Sequence, residues 1–228
     1  MANTQLNELK KIFIRDTKRE TLAVFITLAY LAFQCYRTFV YPLPAMMLRP
    51  IHVATVGMLC TLYVPFKTKD KPAWFKHLTD LIDWVCYAAA IWVLVYHVSQ
   101  YKRLVTRLSY LDELFWYDKV TCILVITVIV FGILRTVGVP LVAFICIAIA
   151  YGFVAPWLPG ILYYQGLDLN KFTELMVMGN SGIYGSALSA ASGFLFWMML
   201  FGGLFSGGAC GQVLIDLGML AGAKSKDA

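Results

Sequence analysis

The sequence predicts an all-α integral membrane protein with about six transmembrane helices, further amphipathic helices at the interface, and a cytoplasmic N-terminus. Three observations carry that prediction. Hydrophobic residues make up 60% of the 228 positions and charged residues only 14%, against roughly 45–50% apolar and about 25% charged in soluble domains. From Leu175 to Ile215 a run of 41 positions carries no charge, about 62 Å as one helix and twice a bilayer core of about 30 Å. Several further apolar stretches of spanning length come before it. A soluble globular domain is excluded by this balance, and 15% aromatic content excludes a disordered chain.

The first span runs from Thr21 to Tyr41, behind a basic tail containing Lys10, Lys11, Arg15, Lys18 and Arg19. Tyr41-Pro42-Leu43-Pro44 has no small-residue cleavage site, so this helix is expected to stay attached. Arg37, one turn from its end, is expected to snorkel, and Gln34 to serve as interhelical glue. A second span covers about Ile51 to Phe66, with the polar run from Lys67 to Pro72 after it. The third, Leu81 to Tyr101, places Asp80 and Asp83 in its first turn, where carboxylates favour the positive end of the helix dipole. His52 and His97 are read as interfacial imidazoles at helix ends.

Leucines at 104, 108, 111 and 114 alternate with Arg107, Asp112 and Glu113, which predicts an amphipathic interfacial helix between residues 101 and 118. Val120 to Leu134 offers only 15 uncharged residues, about 22 Å of helix. The fourth span must therefore borrow its flanks, with Trp116 and Tyr117 as anchors and Arg135 snorkelling at the interface. The fifth runs from Gly138 to Trp157 and stops at Pro156-Trp157-Leu158-Pro159-Gly160. The uncharged run beyond must break. Glycines 179, 182 and 185 supply one break and glycines 202, 203, 207, 208 and 211 another, leaving a sixth span from Ser186 to Phe205 and a short amphipathic piece from Gln212 to Ala223.

With the N-terminus inside, the cytoplasmic loops hold twelve Lys and Arg residues and the outer loops six, which follows the positive-inside rule. The net charge of +6 is then a topology and lipid signal, with no nucleic acid partner needed. The six cysteines have no CxxC spacing, and His52, His77 and His97 form no i,i+4 pair, so neither a metal nor a cofactor is expected. No nucleophile motif, phosphate-binding glycine loop or paired intramembrane carboxylates speak for an enzyme.

The stretch from Gly179 to Gly193 supports two readings. Small residues recur every four positions along Gly182, Ser186, Ala190 and along Gly185, Ser189, Gly193, which suits close helix packing. Alternatively, an unwound segment containing Asn180, Ser181, Gly182, Ser186 and Ser189 presents carbonyls and hydroxyls to a sodium ion or an anionic substrate. Packing is the favoured reading.

Several ordered motifs between Leu48 and Ala221 resemble one family. They are Arg49-Pro50-Ile51-His52, Ile82-Asp83-Trp84, Arg135-Thr136-Val137-Gly138, Pro156 to Gly160, Asn180-Ser181-Gly182-Ile183-Tyr184-Gly185, Leu200-Phe201-Gly202 and Ile215-Asp216-Leu217. Together they look like the membrane permease of tripartite ATP-independent periplasmic (TRAP) transporters, of the fused type that works with TAXI binding proteins. The resemblance implies uptake of carboxylates delivered by a periplasmic binding protein, driven by a sodium or proton gradient across the bacterial inner membrane. It also implies three regions: 1–80, a cytoplasmic tail with two extra helices; 81–160, a small-subunit-like scaffold; and 161–228, the start of the large transport domain. The family pattern is departed from at Phe131 and Leu134, where a glutamate and an arginine are usual, and at Ser206-Gly207, where an acidic-basic pair is usual. Because the family chain continues for several hundred residues, a second, large permease chain is the expected partner and the ion site is expected to lie mostly outside this chain. A non-transporting scaffold or assembly subunit and a truncated permease fragment are the alternatives.

Overall fold

A computed structural model describes residues 17–64, 73–207 and 210–226. The basic residues Lys10, Lys11 and Arg15 of the tail, the loop lysines 67, 69 and 71, and Gly208 lie outside the described residues. Among the described residues every regular element is helical, and six helices are long and apolar enough to cross a membrane. They form two compact units, divided after Gly185.

In the first unit, α1 (Thr17–Phe39), α2 (Ala45–Tyr63), α3 (Ala73–Ser99) and α5 (Trp116–Thr136) pack together, with the short α4 (Tyr101–Thr106) between α3 and α5. The core lies where α2, α3 and α5 meet, around Ala54, Ala89, Ala90, Val93, Cys122, Val125 and Val128. Small residues there let the backbones approach. A Cβ at Gly57 of α2 would overlap Val128 of α5, the close approach that replaces hydrophobic driving force between helices in lipid. By contrast, α6 (Val139–Val154) has no fully buried residue: its side chains are apolar throughout except for Tyr151, and while Val142, Ile145, Ile149 and Phe153 are half-buried, Val139, Leu141, Phe144 and Ile147 are exposed. Such a surface is unstable in water and ordinary against acyl chains.

After α6 the chain turns back through Pro156 and Pro159, where the Leu167 N–H donates to the Gly152 carbonyl at 2.9 Å. It then enters α7 (Leu169–Thr173), which Asp168 caps by accepting from the Asn170 amide and which continues as one π turn through Met178.

The fourth span borrows its flanks as expected, reaching from Trp116 to Thr136. Other expectations need correction. The amphipathic helix expected over 101–118 ends at Thr106; Leu104 is buried, but Leu108 and Leu111 are exposed and the backbone turns after Arg107. The reason is Arg107 itself, which is drawn inward by the Glu174 carboxylate at the start of the π turn after α7. Helix α3 begins at Ala73, so Asp80 and Asp83 sit beyond its first turn and serve ion pairs in place of the helix dipole. His52 lies well inside α2, not at a helix end.

The second unit contains α8 (Ser186–Gly207) and α9 (Cys210–Lys226). One π turn, Ala191–Leu195, interrupts α8. The helix runs through Gly202 and Gly203 and ends at Gly207, inside the glycine cluster and two residues beyond the expected end at Phe205. Apolar neighbours such as Phe201 and Phe205, with ring centroids 4.4 Å apart, sustain it there.

Candidate functional site

Among the described residues, the buried ion pairs of the first unit lie at the two ends of the antiparallel pair α3 and α5. At one end Asp83 of α3 pairs with Arg135 of α5, whose side chain is 0% exposed. Arg135 also donates to the carbonyls of Thr61 and Val64 at 3.3 Å each, and Arg19 of α1 donates to the second oxygen of Asp83 at 3.3 Å. One carboxylate thus ties the ends of four helices. Arg135, expected to snorkel, turns inward because a carboxylate in a dry interface outcompetes the distant water.

At the other end Asp118, 0% exposed, accepts from the Tyr96 hydroxyl at 2.5 Å, from Arg103 Nη1 at 3.1 Å and from the Phe115 amide at 3.0 Å. The Arg103 guanidinium lies over the rings of Phe115 and Tyr117, 5.1 and 5.2 Å from their centroids. Burial pulls the Arg103 proton affinity down, but the Asp118 carboxylate more than offsets it and the net direction is upward. Beside it, Arg107 grips both oxygens of Glu174, at 2.9 and 2.7 Å, while the Tyr110 amide donates to Glu174 at 3.2 Å. From Asp83 to Tyr96, and from Asp118 to Arg135, the helix rise separates these clusters by about 20–25 Å. That is somewhat less than a bilayer core of about 30 Å.

A third polar chain links α1 to α2. Arg37 Nε donates to Gln34 at 2.8 Å, Gln34 to the Tyr30 hydroxyl, and Tyr30 meets His52 Nδ1 at 2.5 Å. These Gln34 bonds stay within α1, and the contact across to α2 is made by Tyr30, which Gln34 orients. Arg37 is held by its bond to Gln34 at the end of its span.

Beyond α7 the chain makes a tight turn containing the predicted residues Asn180, Ser181 and Gly182. Gly182 has φ +57°, and a Cβ there would collide with the Leu175 carbonyl, so only glycine fits. Arg49 of α2 secures the turn by donating to Asn180 Oδ1 at 3.3 Å and to the Tyr184 carbonyl. Tyr184 is buried with its ring edge-on to His97 at 5.4 Å, and burial pushes its hydroxyl well above the usual phenol range. Asn180 also borders a cavity of about 320 Å³ that includes Arg107, Ser109 and the start of α2.

The remaining predicted residues belong to α8. It starts at Ser186, so Gly182 and Gly185 belong to the turn and do not extend the two small-residue lines onto a helix. Ser186 and Ala190 are exposed, Ser189 and Gly193 are half-buried, and among the described residues nothing stands within 4 Å of a Cβ built at Gly193. The Ser189 carbonyl accepts from the Ser192 hydroxyl at 3.4 Å. Among the described residues no group of His, Cys, Asp and Glu gathers as metal ligands do.

Asp118, Glu174, Tyr96 and Tyr30 were not legible as partners in the sequence. The available signal was a carboxylate at each edge of an apolar run with an arginine one run away, a pattern that many topologies satisfy. The chain matches no family model, no curated protein and no solved structure.

Proposed function

We propose that this chain is the scaffold-bearing membrane subunit of a TRAP-type secondary transporter, taking up organic acids delivered by a periplasmic binding protein at the expense of a sodium or proton gradient. Its place is the bacterial inner membrane, with the N-terminus in the cytoplasm as the distribution of Lys and Arg favours. The observation that carries the reading is the clamping of α3 against α5 at both ends, by the Asp83–Arg135 ion pair at one and at the other by the Tyr96–Asp118 hydrogen bond, with Arg103 of α4 on the same carboxylate. A part that stays still while another part moves substrate across the bilayer needs such ties, because acyl chains supply no hydrophobic force to hold helices together. The ordered motifs of the TRAP resemblance support the assignment, since Asp83, Arg135 and the turn at Asn180 are among them. In α8, the Ser186, Ala190 and Gly193 surface offers a helix of a large permease chain a close approach.

Affinity capture of the full chain from native membranes, followed by reconstitution in liposomes, tests this. Capture of a large permease chain is expected, with carboxylate uptake that requires that chain, the binding protein and an inward sodium or proton gradient. Full uptake by the purified chain alone would overturn the subunit role. Capture without any large permease chain would replace it with a non-transporting scaffold.

A further inference from the structure

The segment between α6 and α7 carries an apolar and aromatic surface to which the transport reading gives no role. Trp157, Ile161, Leu162, Tyr163 and Tyr164 all stand exposed, Ile161 completely. Beyond the 3₁₀ turn Ala155–Trp157 the chain reverses and runs back beside α6. The Tyr151 hydroxyl donates to the Leu162 carbonyl at 3.1 Å, the Tyr164 amide to the Ala155 carbonyl at 3.4 Å and the Leu167 amide to the Gly152 carbonyl at 2.9 Å. A Cβ at Gly166, where φ is +76°, would overlap the Pro156 ring, so the reversal is fixed in place. The span Val139–Trp157 has 19 residues, about 28 Å of helix, which in a core of about 30 Å puts Trp157 at the interface. Leu167 is held at Gly152, about 7 Å back from that end along the axis. The segment from Ile161 to Leu167 therefore lies beside the last turn of α6, at the level where headgroups meet acyl chains, and not out in the aqueous phase.

We propose that residues 157–164 form an interfacial anchor, whose exposed side chains insert among the lipids of the leaflet at the C-terminal end of α6. The surface continues the exposed apolar face of α6 without a polar break, since no charged residue stands between Arg135 and Asp168. Trp and Tyr are the side chains that settle at the headgroup level, where an apolar ring and a polar tip are both satisfied. The insertion is shallow for a backbone reason. The segment is extended around one 3₁₀ turn, Gly160–Leu162, and irregular backbone needs the headgroups and water that the hydrocarbon core lacks. A soluble partner would have to reach below the end of α6 to cover Ile161 and Tyr163, which lipids already do. The inference rests on the membrane-spanning reading of α6 and is independent of transport.

Tryptophan quenching in the full chain, reconstituted in phosphatidylcholine vesicles, tests this. The emission added by Ile161→Trp over wild type is compared in vesicles brominated near the headgroup, in vesicles brominated near the chain ends, and with iodide in the water. Quenching of about twofold or more by the shallow bromine, exceeding that by the deep bromine, is expected. Tyr163→Trp, also at an exposed position, is expected to behave alike and decides the matter if Ile161→Trp does not fold. Ile147→Trp, midway along α6 and exposed, is the control for the span and is expected to answer most strongly to the deep bromine. The anchor is overturned if the emission added at the loop positions is quenched by iodide and by neither brominated lipid, which places the loop in water. It is equally overturned by quenching from none of the three, which means a second copy of the chain covers the loop, or by stronger quenching from the deep bromine. In each case a quenched Ile147→Trp leaves the membrane reading standing, whereas Ile147→Trp untouched by either brominated lipid overturns both.

Discussion

Asp83→Asn removes one negative charge from the end of the bundle without changing side-chain volume, so its cost is electrostatic and no cavity is added. The largest part of that cost falls on Arg135. Its side chain is 0% exposed, and the carbonyls of Thr61 and Val64, at 3.3 Å, that stay with it after the substitution are neutral acceptors and do not replace the carboxylate charge. Leaving a buried charge without its partner costs about 3–5 kcal/mol, and complete burial places this one in the upper half of that range. Arg19 also loses Asp83 but is 29% exposed, so its share is below about 1 kcal/mol. The expected destabilisation is therefore about 4–5 kcal/mol. Asp118→Asn is the internal control. Its partner Arg103 is 24% exposed and keeps two aromatic rings beneath it, so the loss is expected near the lower bound, about 3 kcal/mol. Unfolding by added SDS in dodecyl maltoside micelles, followed by tryptophan fluorescence, measures both. A loss below about 1 kcal/mol for Asp83→Asn, or a larger loss for Asp118→Asn, would show that the buried pairs do not tie the helices as argued.

Three other substitutions probe separate contacts in the same assay. Gly57→Val inserts branched atoms against Val128 and is expected to cost about 1–3 kcal/mol, with an unchanged midpoint counting against close α2–α5 packing. Gly182→Ala forces a Cβ toward the Leu175 carbonyl in a left-handed conformation, expected to cost about 1–3 kcal/mol and to speed proteolysis of the turn. Tyr30→Phe deprives both Gln34 and His52 of a partner, so a loss of about 1–2 kcal/mol is expected, and Tyr30→Phe with His52→Phe should lose less than the sum of the two single changes.

Much of the fold could be read before any coordinates. The spans starting near Thr21, Val120, Gly138 and Ser186 appear within a few residues of α1, α5, α6 and α8, because length and hydropathy are properties of each segment alone. The site was far less legible. Arg37, Arg107 and Arg135 occupy similar places at the ends of apolar stretches, yet Arg37 donates to Gln34 of its own helix, Arg107 turns inward onto Glu174 of a distant segment, and Arg135 is fully buried against Asp83. Helical periodicity could not foresee that Arg107 ends the amphipathic stretch, since its carboxylate lies 67 positions further along the chain.

What the sequence determined by itself is which parts of the polypeptide leave water, because transfer free energy accumulates residue by residue along a segment. The tertiary structure alone decided which charges stay unsolvated, since an arginine remains buried only where a particular carboxylate from another helix is brought within bonding distance. That depends on pairs of residues far apart in the chain, and no local pattern encodes it.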